Sequence, residues 1–385
     1  MERVVIVGGG IVGACTAYFL ALLGHRGEII VLERDPSYRF ASTTLSAASI
    51  RTQFTAAVNV RMSLFGIAFL RSLPERFGTE ADIGFQEGGY LVLAAPGQAG
   101  SLARCQRMQV AEGADVSLLD PPALAARFPW LEVAGVGAGC IGNRNEGWFD
   151  AHALLTLVRR GAIALGARFQ AAEVVGIEPA AEGFTVATAA GERLLVDRLV
   201  NAAGPWAAHV AAMAGIALPV EARKRTGFVL RAPLAGAGMP LVLDVSGAWI
   251  RPEGEGFIAG IAPDPERDPP AGEDFAPDVD LMEDKLWPAL AARIPALERL
   301  RMVRAWAGHY EMCTLDHNAI LGPHPGLPGY FHANGFSGHG VQHGPAAGRA
   351  IAEWIRHGRY VSLDLSPLGY ARVAAAHPLP EDAIY

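Results

Sequence analysis

VVIVGGGIVGACTAYFLALLGHRGEIIVLERD, residues 4–35, is the stretch that decides the fold class. It begins with a β-branched run that ends at three glycines, continues with apolar residues over the length of a helix, and closes with a second β-branched run. Strand, glycine turn, helix and strand in this order predict a βαβ unit with parallel strands and a right-handed crossover. The unit therefore predicts an α/β fold that opens with a Rossmann-like, doubly wound domain.

The glycines of this unit fit the spacing G-x-G-x-x-G. Gly8 suits the tight turn, Gly10 lets a pyrophosphate approach the backbone, and Gly13 lets the helix pack closely on the strand. Glu33 lies 20 residues beyond Gly13, at the end of the second strand, where a carboxylate can accept hydrogen bonds from both ribose hydroxyls. The motif predicts a dinucleotide site and leaves NAD and FAD open.

Two later glycine-rich turns also stand between a strand and a helix. They are NAAGPW at residues 201–206 and GFSGHG at residues 335–340. Small residues let a backbone pass close to a cofactor, and the N-terminus of the second helix offers the positive end of its dipole to an electron-rich ligand. For a flavin, that ligand is the N1–C2=O edge. An NAD-dependent dehydrogenase, the alternative suggested by the first motif alone, explains neither turn.

Composition excludes several classes of protein. The 385 residues carry 32 Lys and Arg against 39 Asp and Glu, a net charge of −7, which argues against nucleic acid as a partner. Residues 4–24 are uncharged, but the three glycines favour strand, turn and buried helix over a transmembrane segment. Four scattered cysteines fit a cytoplasmic protein. The histidines lie in turns without carboxylates, so no metal site is predicted.

The order of strand and helix patterns predicts two interleaved domains. The nucleotide-binding domain comprises residues 1–85, 140–215 and 306–385. The second domain comprises residues 86–139 and 216–305, and its pattern of strands divided by glycine and proline indicates a mostly antiparallel sheet.

Six stretches carry a resemblance to a known family: VVIVGGGIVG, VLERD, ASTTLSAASIRTQF, NAAGPW, TLDHNAILGPHP and ANGFSGHGVQ. The chain resembles the FAD-dependent amino-acid oxidoreductases, which include sarcosine oxidase, dimethylglycine dehydrogenase and glycine oxidase. The resemblance is strongest to the sarcosine-oxidase-like branch, which also contains mitochondrial FAD-dependent assembly factors. It implies FAD as cofactor and an α/β (α+β) architecture, in which the second domain binds substrate.

The family's cofactor contacts carry over position by position. They comprise the dinucleotide turn, the adenosine side, the phosphate and ribityl contacts, the NAAG turn, and the loop and helix start beside the isoalloxazine. The resemblance places them at Gly8, Gly10, Ile11, Val12, Gly13, Glu33, Arg34, Ser42, Thr43, Ala47, Val174, Ala203, Gly204, Trp206, Gly338, His339, Gly340, Val341 and Gln342.

Five residues are predicted to act on the substrate. Arg51 matches the arginine that helps bind the substrate carboxylate, for which a guanidinium offers a bidentate fork. Trp249 and Arg251 alternate along one strand, so both should point to the face that lines the substrate pocket in relatives. Tyr310 and His339 complete the predicted catalytic set.

The chain departs from the family pattern at several positions. Gln342 stands where sarcosine oxidases carry a lysine that also grips the carboxylate, and His309 and Tyr310 follow Trp-Ala-Gly where glycine oxidases carry an arginine. No cysteine stands at Gly308 or His309, where sarcosine oxidases tether flavin, and no histidine stands in the STTLSAAS region, where dimethylglycine dehydrogenases tether it. These departures predict non-covalent FAD. Gly256–Gly260 has no basic residue to activate oxygen, which favours a dehydrogenase over an oxidase.

These observations support an enzyme that oxidises the C–N bond of an amino acid or of a secondary or N-methyl amine, sarcosine-like or D-amino-acid-like. In this hypothesis the neutral amine delivers a hydride from its α-carbon to flavin N5, and the imine is then hydrolysed. A protein or a quinone would accept the electrons. The alternative is a flavoprotein subunit for assembly or electron relay, in which FAD is mainly structural.

Overall fold

The computed structural model describes residues 2–381, so Met1 and residues 382–385 of the predicted nucleotide-binding domain lie outside the described residues. The strands within this range are β1 (Arg3–Val7), β2 (Glu28–Glu33), β3 (Ser49–Ile50), β4 (Tyr90–Ala94), β5 (Val116–Leu119), β6 (Ala138–Gly142), β7 (Gly147–Trp148), β8 (Arg168–Ala171), β9 (Val174–Pro179), β10 (Phe184–Thr188), β11 (Arg193–Val196), β12 (Arg198–Asn201), β13 (Val220–Arg231), β14 (Leu241–Leu243), β15 (Trp249–Glu253), β16 (Gly256–Gly260), β17 (Arg301–Cys313), β18 (Ile320–Pro323) and β19 (Tyr330–Asn334).

The α-helices in the same range are α1 (Ile11–Leu22), α2 (Ala57–Arg71), α3 (Leu73–Phe77), α4 (Ala99–Ala111), α5 (Pro121–Arg127), α6 (Ala151–Ala164), α7 (Ala207–Met213), α8 (Trp287–Arg293), α9 (Gly340–His357) and α10 (Ala371–Ala374). Asp150 caps α6, because its side chain accepts a hydrogen bond from the Ala153 N–H at 2.9 Å. No helix of residues 2–381 is both long and apolar enough to cross a bilayer.

The first sheet has the strand order β18-β19-β12-β1-β2-β8. Every neighbouring pair is parallel except β18 with β19. Val4, Val5 and Ile6 of β1 are fully buried, as expected of a central strand covered on both faces. Helices α1, α6 and α9 cover one face, while α7 and the small antiparallel sheet β9-β10-β11 cover the other. The predicted βαβ unit is confirmed.

The second sheet has the strand order β17-β13-β16-β15-β14-β4-β6-β5. It is antiparallel apart from the pair β14 and β4, so the mostly antiparallel second sheet is also confirmed. The domain limits set at 140 and 306 fall inside β6 and β17. Strand β17 pairs with β13 from Cys313 to Arg301, so its whole length belongs to this sheet. Only strand pairing reveals which sheet this stretch joins.

Candidate functional site

A cavity of about 830 Å³ lies between the two sheets, within the roughly 300–1,000 Å³ typical of cofactor and ligand sites. Its floor is formed where β1, β2 and β12 end, which is the edge of a parallel sheet at which ligands bind. Its other walls come from β13, β15 and β17 and from the turn before α9. Both sheets therefore contribute to a single site.

The dinucleotide turn is closely packed against its neighbours. Gly8 has φ +99°, and a Cβ there would lie 2.3 Å from the Ala202 carbonyl oxygen. The Ile11 N–H at the start of α1 donates to Thr43 Oγ1 at 3.1 Å, while the first turn of α1 contains no acidic residue. The first turn of α1 therefore offers the positive end of its dipole to the cavity with no acidic side chain of its own, which suits a pyrophosphate.

Glu33 links the turn to the nucleotide side of the cavity. Its Oε2 accepts a hydrogen bond from the Gly9 N–H at 2.7 Å, and its Oε1 accepts one from the Asp35 N–H at 2.9 Å. Each carboxylate oxygen retains a further lone pair, so both can still accept a hydroxyl. Nearby, the Arg34 guanidinium lies 3.7 Å from the centroid of the Trp206 ring, and Arg34, Trp206 and Val174 all line the cavity.

The opposite end of the cavity is bounded by the turn before α9. Gly338 has φ +93°, and a Cβ there would lie 2.6 Å from Tyr310 Cε2, so glycine lets this turn pack against the tyrosine ring. Glu311 binds the same turn twice: its Oε2 accepts from the Gly335 N–H at 2.9 Å, and its carbonyl accepts from the Ser337 N–H at 3.0 Å. Burial raises the pKa of the Glu311 carboxyl to about 8, although backbone N–H groups oppose the shift.

The comparisons with known proteins agree with this geometry. The profile of the family "FAD dependent oxidoreductase" matches residues 3–354. The chain belongs to this family. Its FAD dependence excludes the NAD-dependent alternative, and the resemblance drawn from the six sequence stretches is confirmed.

Relatives of the chain within the family are similar over most of its length. "FAD-dependent oxidoreductase domain-containing protein 1" is 39% identical in Xenopus laevis, covering 98% of this chain and 84% of that protein, and 38% identical in Bos taurus, covering 96% and 84%. Mouse mitochondrial dimethylglycine dehydrogenase is 27% identical, covering 96% of this chain and 44% of that protein.

Two solved structures share the architecture. L-proline dehydrogenase from P. horikoshii is 28% identical with a TM-score of 0.85, and the match covers 98% of this chain and 99% of that one. Glycine oxidase from Geobacillus kaustophilus is 26% identical with a TM-score of 0.80, covering 96% and 98%. These matches confirm the predicted fold class.

Most residues that the resemblance assigns to FAD lie together around the cavity. Those that line it are Gly8, Gly10, Ile11, Val12, Glu33, Arg34, Ser42, Thr43, Ala47, Val174, Ala203, Gly204, Trp206, Gly338, Gly340 and Val341. Trp249 and Tyr310 of the predicted catalytic set also line it.

The residues of the predicted site that do not line this cavity within the described chain are Gly13, Arg51, Arg251, His339 and Gln342. Gly13 lies under the dinucleotide turn, where a Cβ would be 2.0 Å from the Gly8 carbonyl oxygen.

Arg51, His339 and Gln342 form a buried cluster beside the first turn of α9. The Arg51 N–H donates to Gln342 Oε1 at 2.8 Å, and Arg51 Nη2 lies 3.2 Å from His339 Nε2. The guanidinium also lies 4.5 Å from the centroid of the Phe54 ring. Gln342 therefore fixes the loop that carries Arg51, a contact that the sequence could not indicate because the two residues are 291 positions apart.

Arg251 does not accompany Trp249 into the cavity. Its Nη2 donates to the Ala47 carbonyl at 2.8 Å, its Nη1 pairs with Glu253, and its guanidinium lies 5.3 Å from the centroid of the Trp148 ring. Burial lowers the pKa of this guanidinium. Alternation along β15 does give both residues one face, but the long arginine side chain turns aside and supports the cavity wall at Ala47.

Several cavity residues lie outside the predicted set, among them Phe275, His309 and Glu311. The ring of His309 stacks on that of Phe275 with centroids 4.0 Å apart, and His309 Nε2 lies 2.6 Å from the Asp274 carbonyl. Burial lowers the pKa of His309. Phe275 belongs to the polar, proline-rich segment 263–277, where a lone aromatic residue was the available signal. For Glu311, the available signal in the sequence was an acidic residue among apolar residues of β17.

No cluster of His, Cys, Asp or Glu in residues 2–381 has the arrangement of a metal site.

Proposed function

We propose that the protein is a dehydrogenase that oxidises the C–N bond of an amino acid or of a secondary or N-methyl amine, with FAD bound non-covalently. The observation that carries the proposal is the continuity of the cavity. It runs without interruption from the dinucleotide turn at Gly8 to an aromatic end at Trp249, Trp306 and Tyr310. A cofactor that binds by its phosphates at one end would thus place its reactive end against the second sheet.

The residues present fit FAD. The α1 N-terminus and Thr43 would hold its phosphates, Glu33 would accept its ribose hydroxyls, and the start of α9 would face its electron-rich ring edge. When bound, FAD supplies a two-electron acceptor whose N5 takes the hydride from the substrate α-carbon.

The chain's own residues would contribute mainly orientation. Trp306 is fixed because its Nε1–H donates to the Leu45 carbonyl at 2.9 Å, and Tyr310 is fixed by its contact with the turn at Gly338. Rigid aromatic walls orient an amine and exclude water, and orientation can supply a large part of a rate enhancement. A poorly solvated site also favours the neutral amine, which is the form able to release a hydride.

Two sequence features support a dehydrogenase with non-covalent FAD. Strand β16 offers no basic residue to activate oxygen, so a protein or a quinone is the proposed electron acceptor. At the position of the family's cysteine tether, the His309 ring already contacts Phe275 and the Asp274 carbonyl. Acid precipitation tests whether FAD is bound without a covalent link, because non-covalent FAD stays in the supernatant. A cytoplasmic location remains part of the proposal.

The decisive experiment is anaerobic stopped-flow bleaching of the flavin band against D- and L-amino acids, sarcosine, dimethylglycine and cyclic imino acids, followed by admission of air. The names of the related L-proline dehydrogenase and dimethylglycine dehydrogenase place cyclic and N-methylated amino acids first in the panel. Bleaching followed by slow reoxidation is the expected result. A flavin-loaded protein that none of these compounds reduces would refute the proposed activity.

A second candidate is a flavoprotein subunit for assembly or electron relay. It is supported by the relatives at 39% and 38% identity, whose names specify no substrate, and by the burial of Arg51 beside His339. For this candidate we expect stable co-purification with a partner protein, together with no turnover of any amine. Amine turnover by the isolated chain would exclude it.

A further inference from the structure

Glu311 combines burial with direct access to the cavity. The residue lines the cavity wall, yet only 8% of its surface is exposed. Its Oε2 is held by the Gly335 N–H, while its Oε1 lies 3.4 Å from the point where a side chain on Gly340 would begin. The carboxyl is therefore wedged between the turn and the start of α9, at the end of the cavity that the resemblance assigns to the isoalloxazine.

Among residues 2–381, no cationic side chain offsets the burial of Glu311. Ala222 stands opposite it on β13. Arg225, also on β13, pairs with Asp268 and lies over the Tyr310 ring. His339 contacts Arg51, and His343 contacts Ser63. The titratable or charged groups nearest to Glu311 along β17, β13 and the start of α9 include His309, Tyr310, Glu221, Arg223, Lys224, Arg225, His339 and His343. Burial lowers the pKa of His309 and of His343, which keeps both rings neutral at neutral pH.

We propose that Glu311 is a proton-holding residue of the cofactor site, neutral at physiological pH, whose ionisation at higher pH places a negative charge beside the reactive end of FAD. The inference rests on the proposed function only in placing the isoalloxazine near α9. Reduction adds negative charge to a flavin, so an ionised carboxylate nearby opposes reduction and a neutral acid does not. The proton leaves Oε1 or Oε2 for solvent as the pH rises.

The test compares three forms of the FAD-loaded protein: wild type, Glu311→Gln and Glu311→Asp. Glutamine can still accept the Gly335 N–H but cannot ionise, whereas aspartate keeps an ionisable carboxyl. The ratio of reduced to oxidised FAD is measured against a reference dye at pH 6.5 and 9.5. We expect this ratio to fall at least tenfold further in the wild type than in Glu311→Gln, which is about 30 mV for a two-electron couple. In Glu311→Asp, the ratio of reduced to oxidised FAD should also fall further with pH than it does in Glu311→Gln.

The outcomes separate a proton-holding role from a purely structural one. If Glu311 only anchors the turn, Glu311→Gln will show the same pH dependence as the wild type, and the proposal falls. If Glu311→Gln does not retain FAD, the infrared difference spectrum of the wild type between pH 6.5 and 9.5 decides the matter. Loss of a buried carboxylic-acid carbonyl band supports the proposal, and an unchanged band refutes it. Neither measurement depends on amine turnover, so failure of the proposed function would be seen separately.

Discussion

Replacement of Gly13 by alanine is the most direct test of how the first turn shapes the cofactor site. An alanine Cβ would lie 2.0 Å from the Gly8 carbonyl oxygen and 3.3 Å from Ile6 Cγ2. Protein Cβ atoms essentially never approach another heavy atom closer than 3.0 Å, so α1 and the turn must separate by at least 3.0 − 2.0 = 1.0 Å. The displaced atoms include the backbone that is predicted to receive the pyrophosphate.

Helix α1 cannot retreat easily from the turn, because α9 packs directly behind it. At Gly348 of α9, a Cβ would already lie 2.6 Å from the backbone of Cys15. Overpacking of this kind costs about 1–3 kcal/mol, against which the better helix propensity of alanine returns up to about 1 kcal/mol. We therefore expect a net loss of about 1–2 kcal/mol in the free energy of unfolding. A shift of 1 Å in the phosphate-binding backbone should weaken FAD binding at least tenfold.

The matched control is Gly100→Ala, since Gly100 also lies near the start of a helix and its nearest neighbour would be an arginine side-chain nitrogen 3.8 Å away. Denaturant titration gives the free energies of unfolding, and the ratio of flavin to protein absorbance gives FAD content. Gly100→Ala should be neutral or stabilised by up to about 1 kcal/mol with full FAD content. Equal stability and equal FAD content in the two variants would refute the steric argument.

Three further predictions follow from contacts in the structure. Glu33→Gln should lower the affinity for FAD. It should change the free energy of unfolding of the FAD-free protein by less than about 1 kcal/mol, because glutamine can still accept one of the two backbone N–H bonds. Titration of the FAD-free protein with FAD measures the affinity, and an unchanged affinity would contradict the prediction. Asp150→Ala should destabilise the protein by about 1 kcal/mol through loss of the α6 cap, with Asp150→Asn as the conservative control in the same denaturant titration. As the pH rises from 5 to 8, the wild type should lose stability relative to Glu311→Gln. The Glu311 carboxyl keeps its proton in the folded protein, where its pKa is about 8, whereas the unfolded chain has already released that proton. The expected difference in the free energy of unfolding is on the order of 4 kcal/mol, and parallel stability profiles of the two proteins would disprove it.

The sequence predicts the first sheet well because the interactions that build it are local. The glycine spacing between β1 and α1 needs no distant partner to be interpreted, and Glu33 ends β2 as the spacing requires. The NAAG and GFSGHG turns are recognisable for the same reason, since each joins a strand to the helix that follows it. Their convergence on one cavity follows from parallel strands ending at one edge of a sheet.

The sequence does not predict contacts between residues far apart in the chain. Gln342 and His339 cover Arg51 only because distant segments of the chain pack together. Arg251 turns towards Ala47 for the same reason. Likewise, nothing within segment 263–277 indicates that Phe275 stacks on His309. Periodicity assigns a residue to a face of a strand, but the direction of a long side chain beyond that face is set by tertiary packing.

The alternation of the chain between the two large sheets has a consequence for cooperativity. Strands β1 and β2 join the first sheet, β4 to β6 the second, β8 and β12 the first, β13 to β17 the second, and β18 and β19 the first. Each sheet is therefore completed only after the chain has passed through the other, and neither corresponds to a continuous segment that could fold alone. Heating should melt both sheets in a single transition, and a ligand that stabilises one should raise the melting temperature of the whole molecule.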